Sequence, residues 1–408
     1  SANLPGSLYL GRRIGRRARF ALWAFLAVLV LAAIGVGVHY LVTGAGGDSG
    51  GEATTEGVGL YPIQIEDADG DDSDGNTVTG YIDRTGAVVI PPRFDFGGSF
   101  HDGLAQVVLD GQAGYIDQTG AVVVQPPEGV FVTGLGDFSE GLATALSLDY
   151  KIGYIDKTGA MVIEPQFKTA CAFSEGRARA SLDGRKWGYI DKTGAWVMEP
   201  KYDWADSFSE GLAVVRPEDN WYGFIDMSGE VVLKPEYSNA GRFANGLARV
   251  IPRNGVRWAF IDATGEVVIK PGYQAARDFG DDGLAAVRVG ETWGFIDKTG
   301  AYVFELRYAG ALDFSEGLAP VLEEDGGEWG FIDKSGAWVI QPEFTAARPF
   351  SESLAAVRGS SAWGYIDRTG ALVIPQQFTG LEAWPFSEGL APVLEGDGWG
   401  SSTRPEPG

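Results

Sequence analysis

The sequence predicts an all-β array of tandem repeats preceded by one N-terminal transmembrane helix, and three observations lead to this prediction. A motif of Gly, an aromatic residue, Ile and Asp recurs nine times at a spacing near 35 residues, once with Ala in place of Gly. Glycine supplies 60 of the 408 residues, roughly twice its usual share. A run of 23 residues without charge, residues 20–42, follows a cluster of arginines. Because units of this length cannot bury their apolar faces alone, the repeats are expected to stack on one another.

The composition argues against several classes of function. A single cysteine, Cys171, excludes a disulfide framework and a cysteine-based zinc site. Two histidines, His39 and His101, leave little for histidine-based catalysis or metal binding. The formal net charge of −23 argues against a nucleic-acid partner. We therefore expect no cofactor, no bound metal and no nucleic acid.

The N-terminal residues predict attachment to a membrane. Residues 1–19 form a basic segment, and residues 20–42 as a helix would span about 35 Å, enough to cross a bilayer core of about 30 Å. Residues 1–42 carry five bases and no acid, whereas residues 43–408 carry 27 bases and 55 acids, a balance of −28. The positive-inside rule then places the N-terminus in the cytoplasm and the repeats outside it, in the periplasm or at the cell surface. A signal peptide cleaved near residues 43–45 is the alternative.

Residues 43–75 predict a flexible acidic linker, because Gly, Ser, Thr and Glu dominate its first half. Its acidic tract, residues 67–76, has Asp67, Asp69 and Asp71 at the alternate positions that calcium ligands often occupy. The tract lacks the Gly and Glu that complete a twelve-residue calcium loop. A solvated spacer is therefore favoured over a weak calcium site.

The repeat domain, residues 76–400, consists of units with the same four parts. In one unit, Trp187 to Asp191 predicts a strand, Lys192 to Gly194 a turn, and Ala195 to Met198 a second strand that ends at a proline. A connector then leads to Phe-Ser-Glu-Gly, and Leu212 to Val215 predicts a third strand. Each unit is thus predicted to be a three-stranded antiparallel meander.

An Asp-x-Thr/Ser-Gly tetrapeptide follows the first strand of every unit. Aspartate at the start of a turn accepts backbone N–H bonds, and glycine supplies the positive φ that such a turn needs. We interpret these aspartates as turn caps rather than a ladder of metal ligands, because each comes with its own glycine. The structural marks of this pattern include Asp191, Gly194, Asp297, Gly300, Asp333 and Gly336.

A Phe-x-x-Gly-Leu-Ala element precedes each predicted third strand and usually carries a glutamate. Two carboxylates could serve as the acid and base of a glycosidase. However, such a pair needs two different environments, and a residue repeated in register is more often structural. The glutamates concerned are Glu140, Glu175, Glu210, Glu316, Glu352 and Glu388.

Tryptophan is the other repeated mark, with eleven of the twelve tryptophans in the repeat region. Those that precede the motif glycine are predicted to fill the space between stacked sheets; they include Trp187, Trp293, Trp329 and Trp363. Three others lie in loops or connectors and are candidates for exposed binding contacts, namely Trp204, Trp221 and Trp384.

These motifs together resemble the WG (or KWG) repeat family of bacterial proteins. The resemblance rests on Arg185-Lys-Trp-Gly-Tyr-Ile-Asp-Lys-Thr-Gly194, followed by Trp-Val-Met-Glu-Pro and Phe-Ser-Glu-Gly-Leu-Ala, and covers about residues 76–400. It implies a β-rich array, often on secreted or membrane-attached proteins, and implies no activity. Local departures include Ala113 in the tryptophan position and Leu306 in place of the usual proline.

Tandem β-units can stack openly or close into a ring. We expect an open, solenoid-like superhelix rather than a closed toroid or propeller, because nine blades would be uncommon and no unit is visibly split between the two chain ends. Residues 401–408 form a tail without repeat character.

The expected function is a non-enzymatic binding or scaffolding surface for an unknown protein or an envelope glycan. Repeat arrays keep a constant core and vary at their loops, which gives a long surface for binding. Two alternatives remain open at this point: a carbohydrate-active enzyme that uses the repeated carboxylates, and a passive structural spacer.

Overall fold

The structure, a computed structural model, describes residues 63–66, 77–218 and 221–378. All of them belong to one compact unit, residues 55–408. The predicted basic segment, the membrane helix, the C-terminal tail and nearly all of the linker lie outside the described residues. Within the described ranges, no helix has the length and apolarity needed to cross a membrane.

The described residues form short strands that pair antiparallel throughout. In chain order the strands are β1 (Ile63–Glu66), β2 (Thr77–Ile82), β3 (Val88–Phe94), β4 (Phe96–His101), β5 (Leu104–Leu109), β6 (Gln112–Ile116), β7 (Val122–Val124), β8 (Val130–Leu135), β9 (Leu142–Ser147), β10 (Ile152–Asp156), β11 (Met161–Phe167), β12 (Thr169–Ala170), β13 (Ala178–Ser181), β14 (Trp187–Ile190), β15 (Trp196–Tyr202), β16 (Trp204–Ala205), β17 (Leu212–Arg216), β18 (Tyr222–Asp226), β19 (Val231–Ala244), β20 (Leu247–Pro252), β21 (Trp258–Ile261), β22 (Val267–Tyr273), β23 (Ala275–Ala276), β24 (Leu284–Val289), β25 (Thr292–Asp297), β26 (Gly310–Ala311), β27 (Leu318–Leu322), β28 (Trp329–Asp333), β29 (Trp338–Phe344), β30 (Ala346–Ala347), β31 (Leu354–Arg358), β32 (Trp363–Asp367) and β33 (Leu372–Phe378).

The strands make a succession of small sheets, which we number in chain order. Sheet 1 is β1–β3, sheet 2 β4–β7, sheet 3 β8–β11 and sheet 4 β12–β15. Strands β16 to β22 pair as one seven-stranded sheet, and we number its two halves sheet 5 (β16–β19) and sheet 6 (β19–β22). Sheet 7 is β23–β25, sheet 8 β26–β29 and sheet 9 β30–β33. Strand β19 belongs to two sheets, because its first half pairs with β18 and its second half with β20. In sheet 7 the fourth strand is reduced to two bridges, one of which joins Trp293 to Tyr308.

The full sheets have four strands, so the predicted three-stranded unit is wrong in two respects. First, the connector contributes a short strand; β16, for example, pairs with β17. Second, the Leu-Ala strand pairs with the strand that follows it, so that Val215 lies opposite Gly223 of the next repeat. Two antiparallel strands joined by a short loop pair readily with each other. The Leu-Ala strand at the end of one sequence repeat therefore belongs to the same sheet as the motif strand that begins the next repeat.

In sheets 3, 4, 5, 6, 8 and 9 the fourth strand continues through its proline, whereas the sequence predicted that it ends there. In sheet 2 the fourth strand, β7, ends at Val124, before the proline. Strand β15 includes Pro200, and the pairing register shifts between Tyr189 and Trp187 on its partner strand. The proline therefore lies in a bulge, where no ladder hydrogen bond is required of it. The motif glycine faces this bulge: a β-carbon on Gly188 would lie 2.7 Å from the nitrogen of Pro200.

Each sheet packs on the preceding one through the glycine of its Asp-x-Thr/Ser-Gly turn. A β-carbon on Gly194 of sheet 4 would lie 2.8 Å from the side chain of Ile163 in sheet 3. The same neighbour relation joins Gly86 of sheet 1 to Ile374 of sheet 9, at 3.7 Å. Sheet 9 is thus the predecessor of sheet 1.

A shared core and an ion pair also join the first and last sheets. One cluster of buried residues includes Tyr81 of sheet 1 together with Trp363 and Ile374 of sheet 9. Arg84 of sheet 1 donates a hydrogen bond to Glu352 of sheet 9 at 2.9 Å. The succession of sheets therefore returns to its start. These contacts do not fit the open, solenoid-like superhelix that the sequence favoured, and they fit the closed alternative.

Candidate binding surface at the loop edge

The strand ends define two edges of the repeat unit. The turn edge carries the Asp-x-Thr/Ser-Gly turns and the Ser-x-Gly-Leu hairpins that join first and second strands. The loop edge lies at the opposite strand ends, because antiparallel strands alternate in direction. It carries the loops between second and third strands, which differ in length and sequence: residues 110–111, 148–151, 182–186, 217–221, 253–257, 290–291, 323–328 and 359–362.

The aspartates of the turn edge bind their own turns, as the turn-cap interpretation predicts. One oxygen of Asp191 accepts bonds from the hydroxyl of Thr193 at 2.6 Å, the N–H of Thr193 at 2.9 Å and the N–H of Ala195 at 3.2 Å. The hydroxyl and the two amides hold the pKa of Asp191 below its usual value. Gly194 has φ +84°. The same bonds recur at Asp83, Asp117, Asp156, Asp226, Asp262, Asp297, Asp333 and Asp367.

The repeated glutamates of the turn edge join neighbouring sheets. Glu140 of sheet 3 accepts a bond from the N–H of Gly176 in sheet 4 at 3.0 Å and lies 3.1 Å from the ammonium of Lys192. Glu210 accepts one from the N–H of Gly246 at 2.9 Å. Equivalent bonds join Asp102 to Gly141, Glu175 to Gly211, Asp282 to Gly317 and Glu316 to Ser353. Glu388 lies outside the described residues.

On the loop edge, the loops of sheets 4, 5 and 6 contact one another. The ammonium of Lys186 binds Asp203 at 2.8 Å and Glu218 of the next loop at 3.0 Å. The guanidinium of Arg253, one loop further on, lies 4.6 Å from the ring centroid of Trp221. We call these five residues together with Trp204, which directly follows Asp203, the loop patch.

The loop patch contains two of the three tryptophans that the sequence singled out as binding candidates. Trp204 begins β16 and meets the ring of Tyr222 edge-on, with centroids 5.6 Å apart. Trp221 directly precedes β18. Both indoles are half-buried, so each is held in place and keeps part of its surface in solvent. Trp384, the third candidate, lies outside the described residues.

The loop patch carries charges of both signs around the two indoles. The carboxylates of Asp203 and Glu218 hold the pKa of Lys186 above its usual value. The side chain of Glu218 is 83% exposed, and Val256, in the same loop as Arg253, is 82% exposed. Half-exposed indoles beside paired charges offer both apolar contact area and hydrogen bonds to a partner.

The tryptophans in register with the motif glycine pack against cores that neighbouring sheets share. Trp187, Trp293 and Trp329 are half-buried, and each packs against a buried cluster that combines residues of its own sheet with residues of the next sheet. Trp363 is only 4% exposed and belongs to the cluster that joins sheets 9, 1 and 2.

Arginines stack on several of these aromatic residues, and the sequence patterns do not predict this. The guanidinium of Arg179 lies 5.4 Å from the ring of Trp187, and that of Arg288 lies 5.9 Å from the ring of Trp293. Arg288 and Trp293 are direct cross-strand partners. Pairing each Leu-Ala strand with the following strand would have revealed the contact.

Small four-stranded antiparallel sheets that succeed one another until the last meets the first define a propeller-like β-repeat protein. A family model described as "WG containing repeat" matches residues 80–112, 152–185, 187–221, 222–251, 258–293, 293–326, 329–358 and 363–399. These segments cover more than half of the chain, and the chain belongs to this family. The model leaves residues 113–151 unmatched, although Asp117 there makes the same turn bonds as its counterparts.

Comparison with solved structures gives a likeness in fold at low sequence identity, with a TM-score above 0.5 for the first structure named here. A crystal structure of the eukaryotic initiation factor is 11% identical, with a TM-score of 0.55 over 78% of this chain and 95% of that chain. The designed protein Ika8 (13% identity, 67% and 93% coverage) and BamB from Moraxella catarrhalis (14% identity, 77% and 96% coverage) have TM-scores of 0.41 and 0.39. No curated protein matches the chain.

Proposed function

We propose that this chain is a membrane-anchored, extracytoplasmic repeat protein whose loop edge binds or scaffolds a protein or an envelope polymer without catalysing a reaction. The loop patch is the observation that carries the proposal. Three loops of equal length but different sequence meet there, and two indoles are fixed among charged side chains. Binding sites commonly combine anchored aromatic residues with a polar surround.

The two edges of the array support a division of roles. On the turn edge, the repeated side chains are engaged in bonds within a turn or between sheets, as with Asp191 and Glu210. A carboxylate committed to a backbone N–H of the next sheet is poorly placed to act as a glycosidase acid or base. The loop edge carries the residues that differ from repeat to repeat, and these include exposed apolar residues such as Leu148 and Leu182. This division favours the binding role over the enzyme alternative.

The membrane placement rests on the sequence of residues 1–42. The uncharged run 20–42 and the reversal of charge on either side of it support a single span with the repeats outside the cytoplasm. Protease treatment of whole cells would test this topology. Digestion of the repeats only after the cytoplasmic membrane is permeabilised would contradict it.

The binding role is tested by capture of envelope proteins and glycans on the full chain and on three variants. Trp221→Ala and Arg253→Ala alter the loop patch, and Arg368→Ala is the matched control, because Arg368 is an exposed arginine on the turn edge. We expect saturable capture that weakens with salt, and a loss of about tenfold or more for Trp221→Ala, as for other aromatic anchors of interfaces. The control variant should bind normally.

Three outcomes would count against the proposal. Equal capture by all variants would show that the partner binds to a surface other than the loop patch. Absence of saturable capture would favour the passive spacer. Turnover of a polysaccharide that is lost on changing one acid would favour the enzyme.

A further inference from the structure

The charge of the loop edge changes sign between sheet 6 and sheet 8. The loop of sheet 6, residues 253–257, reads Arg-Asn-Gly-Val-Arg and is the only one of the eight loops that has a base and no acid. The loop of sheet 8, residues 323–328, reads Glu-Glu-Asp-Gly-Gly-Glu and has more acids than any other loop. Between them lies the loop of sheet 7, residues 290–291, which has two residues. A basic loop and an acidic loop therefore lie on either side of sheet 7, each one sheet away from it.

The charged side chains of the basic and the acidic loop form no ion pair with any other described residue. Elsewhere on the loop edge charges are paired, as Lys186 is with Asp203 and Glu218. Two steps of about 10 Å separate sheets 6 and 8, which is too far for an ion pair between their loops within one copy. The unpaired side chains are exposed except for the half-buried Arg257, and they are Arg253, Arg257, Glu323, Glu324, Asp325 and Glu328.

A two-fold relation between two copies would bring these opposite charges together. In an isologous contact, each of two complementary surfaces lies at the same distance from the two-fold axis. Sheets 6 and 8 satisfy this condition about sheet 7, because each lies one step from it. When two copies face each other by their loop edges with the axis over sheet 7, sheet 6 of each copy lies opposite sheet 8 of the other. The contact between basic and acidic loops then forms twice.

We propose that the loop edge of sheets 6, 7 and 8 is a docking surface for a second copy of this chain, in which residues 253–257 of each copy bind residues 323–328 of the other. Apolar residues are available at the same surface. Val256 lies between the two arginines of the basic loop, and Val289 directly precedes the short loop under the axis; both are exposed. The surface thus combines exposed apolar area with charges that complement those of its own copy.

Charge complementarity also selects this position of the axis over its neighbours. An axis between sheets 6 and 7 would place the loop of sheet 5, with the exposed Glu218, opposite the acidic loop of sheet 8. An axis between sheets 7 and 8 would place Glu291 opposite that same loop. Like charges in contact are unfavourable. The net charge of −23 also opposes association, but at physiological ionic strength this repulsion is screened beyond about 8 Å, so that the charges in contact decide.

Self-association goes beyond the proposed function and can fail independently of it. The loop patch lies on sheets 4 to 6 and shares Arg253 with the docking surface. Trp221→Ala should therefore weaken capture of an envelope partner and leave self-association unchanged. Charge reversal of the acidic loop should do the opposite, because sheet 8 contributes nothing to the loop patch.

Paired charge reversals test the docking surface in the full chain. One variant combines Arg253→Glu with Arg257→Glu, which makes the loop of sheet 6 acidic. The other combines Glu323→Lys, Glu324→Lys and Asp325→Lys, which makes the loop of sheet 8 basic. Each variant alone sets like charges opposite each other, whereas an equimolar mixture of the two restores opposite charges at both contacts. Sedimentation velocity over a range of protein concentrations measures the association, and tryptophan fluorescence checks that each variant is folded.

The matched control combines Lys234→Glu with Lys270→Glu. These two exposed lysines lie in β19 and β22, away from the loop edge, and their reversal changes the net charge as much as reversal of the two arginines does.

We expect a concentration-dependent dimer for the unmodified chain and for the control. The dissociation constant should rise at least about tenfold for each loop variant alone and return towards the original value in the mixture. A chain that stays monomeric at every concentration would overturn the proposal. Loop variants that dimerise as well as the control, or a mixture of folded variants that fails to dimerise, would also overturn it. Oligomers that grow beyond the dimer would contradict the two-fold arrangement, because an isologous contact closes on itself.

Discussion

Replacing the turn glycine Gly194 by alanine separates the two reasons for glycine at this position. Gly194 has φ +84°, and a β-carbon there would lie 2.8 Å from the side chain of Ile163 in the preceding sheet. The left-handed conformation costs a non-glycine residue about 1–2 kcal/mol. Overpacking of a well-packed contact adds about 1–3 kcal/mol. We therefore expect Gly194→Ala to lower the free energy of unfolding by about 2–5 kcal/mol.

Gly211→Ala is the matched control for this substitution. Gly211 has φ +77°, but a β-carbon there would meet no heavy atom of the described residues within 4 Å. It should therefore lose only the conformational part, about 1–2 kcal/mol. The two variants are compared by urea unfolding followed by tryptophan fluorescence. Equal destabilisation of the two would refute the reasoning that neighbouring sheets pack on the turn glycine.

Three further predictions follow from the turn edge and the core. The pKa values of the nine turn aspartates, Asp191 among them, are lowered in the folded protein. Their contribution to the free energy of unfolding should therefore be fully present above the unfolded pKa of about 3.9 and be lost as the pH drops through the folded pKa values. Urea midpoints that do not change with pH below about 4 would contradict this prediction. Glu210→Ala should cost about 1 kcal/mol by removing the acceptor of the Gly246 N–H, whereas Glu218→Ala on the loop edge should leave the urea midpoint nearly unchanged. Tyr189→Phe removes a 2.7 Å bond to the carbonyl of Asp206 and should cost about 1 kcal/mol by the same assay; no change would show that water replaces the hydroxyl.

The sequence predicts the local structure of the repeat well. The Asp-x-Thr/Ser-Gly turn follows from the chemistry of its own four residues, and the structure confirms it at Asp191 and Gly194. The short apolar runs between these turns and the connectors likewise predict three of the four strands, such as β14, β15 and β17. These features depend on contacts between residues close in the chain, which a single repeat already contains.

The sequence does not predict how the repeats divide into sheets. A repeating pattern does not show where one sheet ends and the next begins. When the unit is taken to begin at Trp187, Leu212 falls in a different unit from Asp226, its cross-strand partner in the structure. The role of Glu140 was hidden for a related reason, because its partner, Gly176, lies one whole repeat away. Closure of the array depends on a contact between residues as distant as Arg84 and Glu352, for which no local pattern exists.

Two residues of the loop patch were candidates on sequence grounds. Trp204 and Trp221 were chosen because they lie in loops or connectors, and both belong to the loop patch. No sequence pattern predicts that Lys186 and Arg253 lie near these tryptophans, because the two residues come from loops of different repeats. Their function in binding stays a prediction.

The distance between residues 84 and 352 tests the central claim, closure of the array, most directly. Spin labels at these two positions replace side chains that are 2.9 Å apart, and labels at residues 140 and 192 form the matched pair, since Glu140 and Lys192 are 3.1 Å apart in neighbouring sheets. Closure predicts the same short distance distribution for both pairs. In an open array, eight steps of about 10 Å between stacked sheets would separate the first pair by about 80 Å while the second stayed short, and that result would contradict the account.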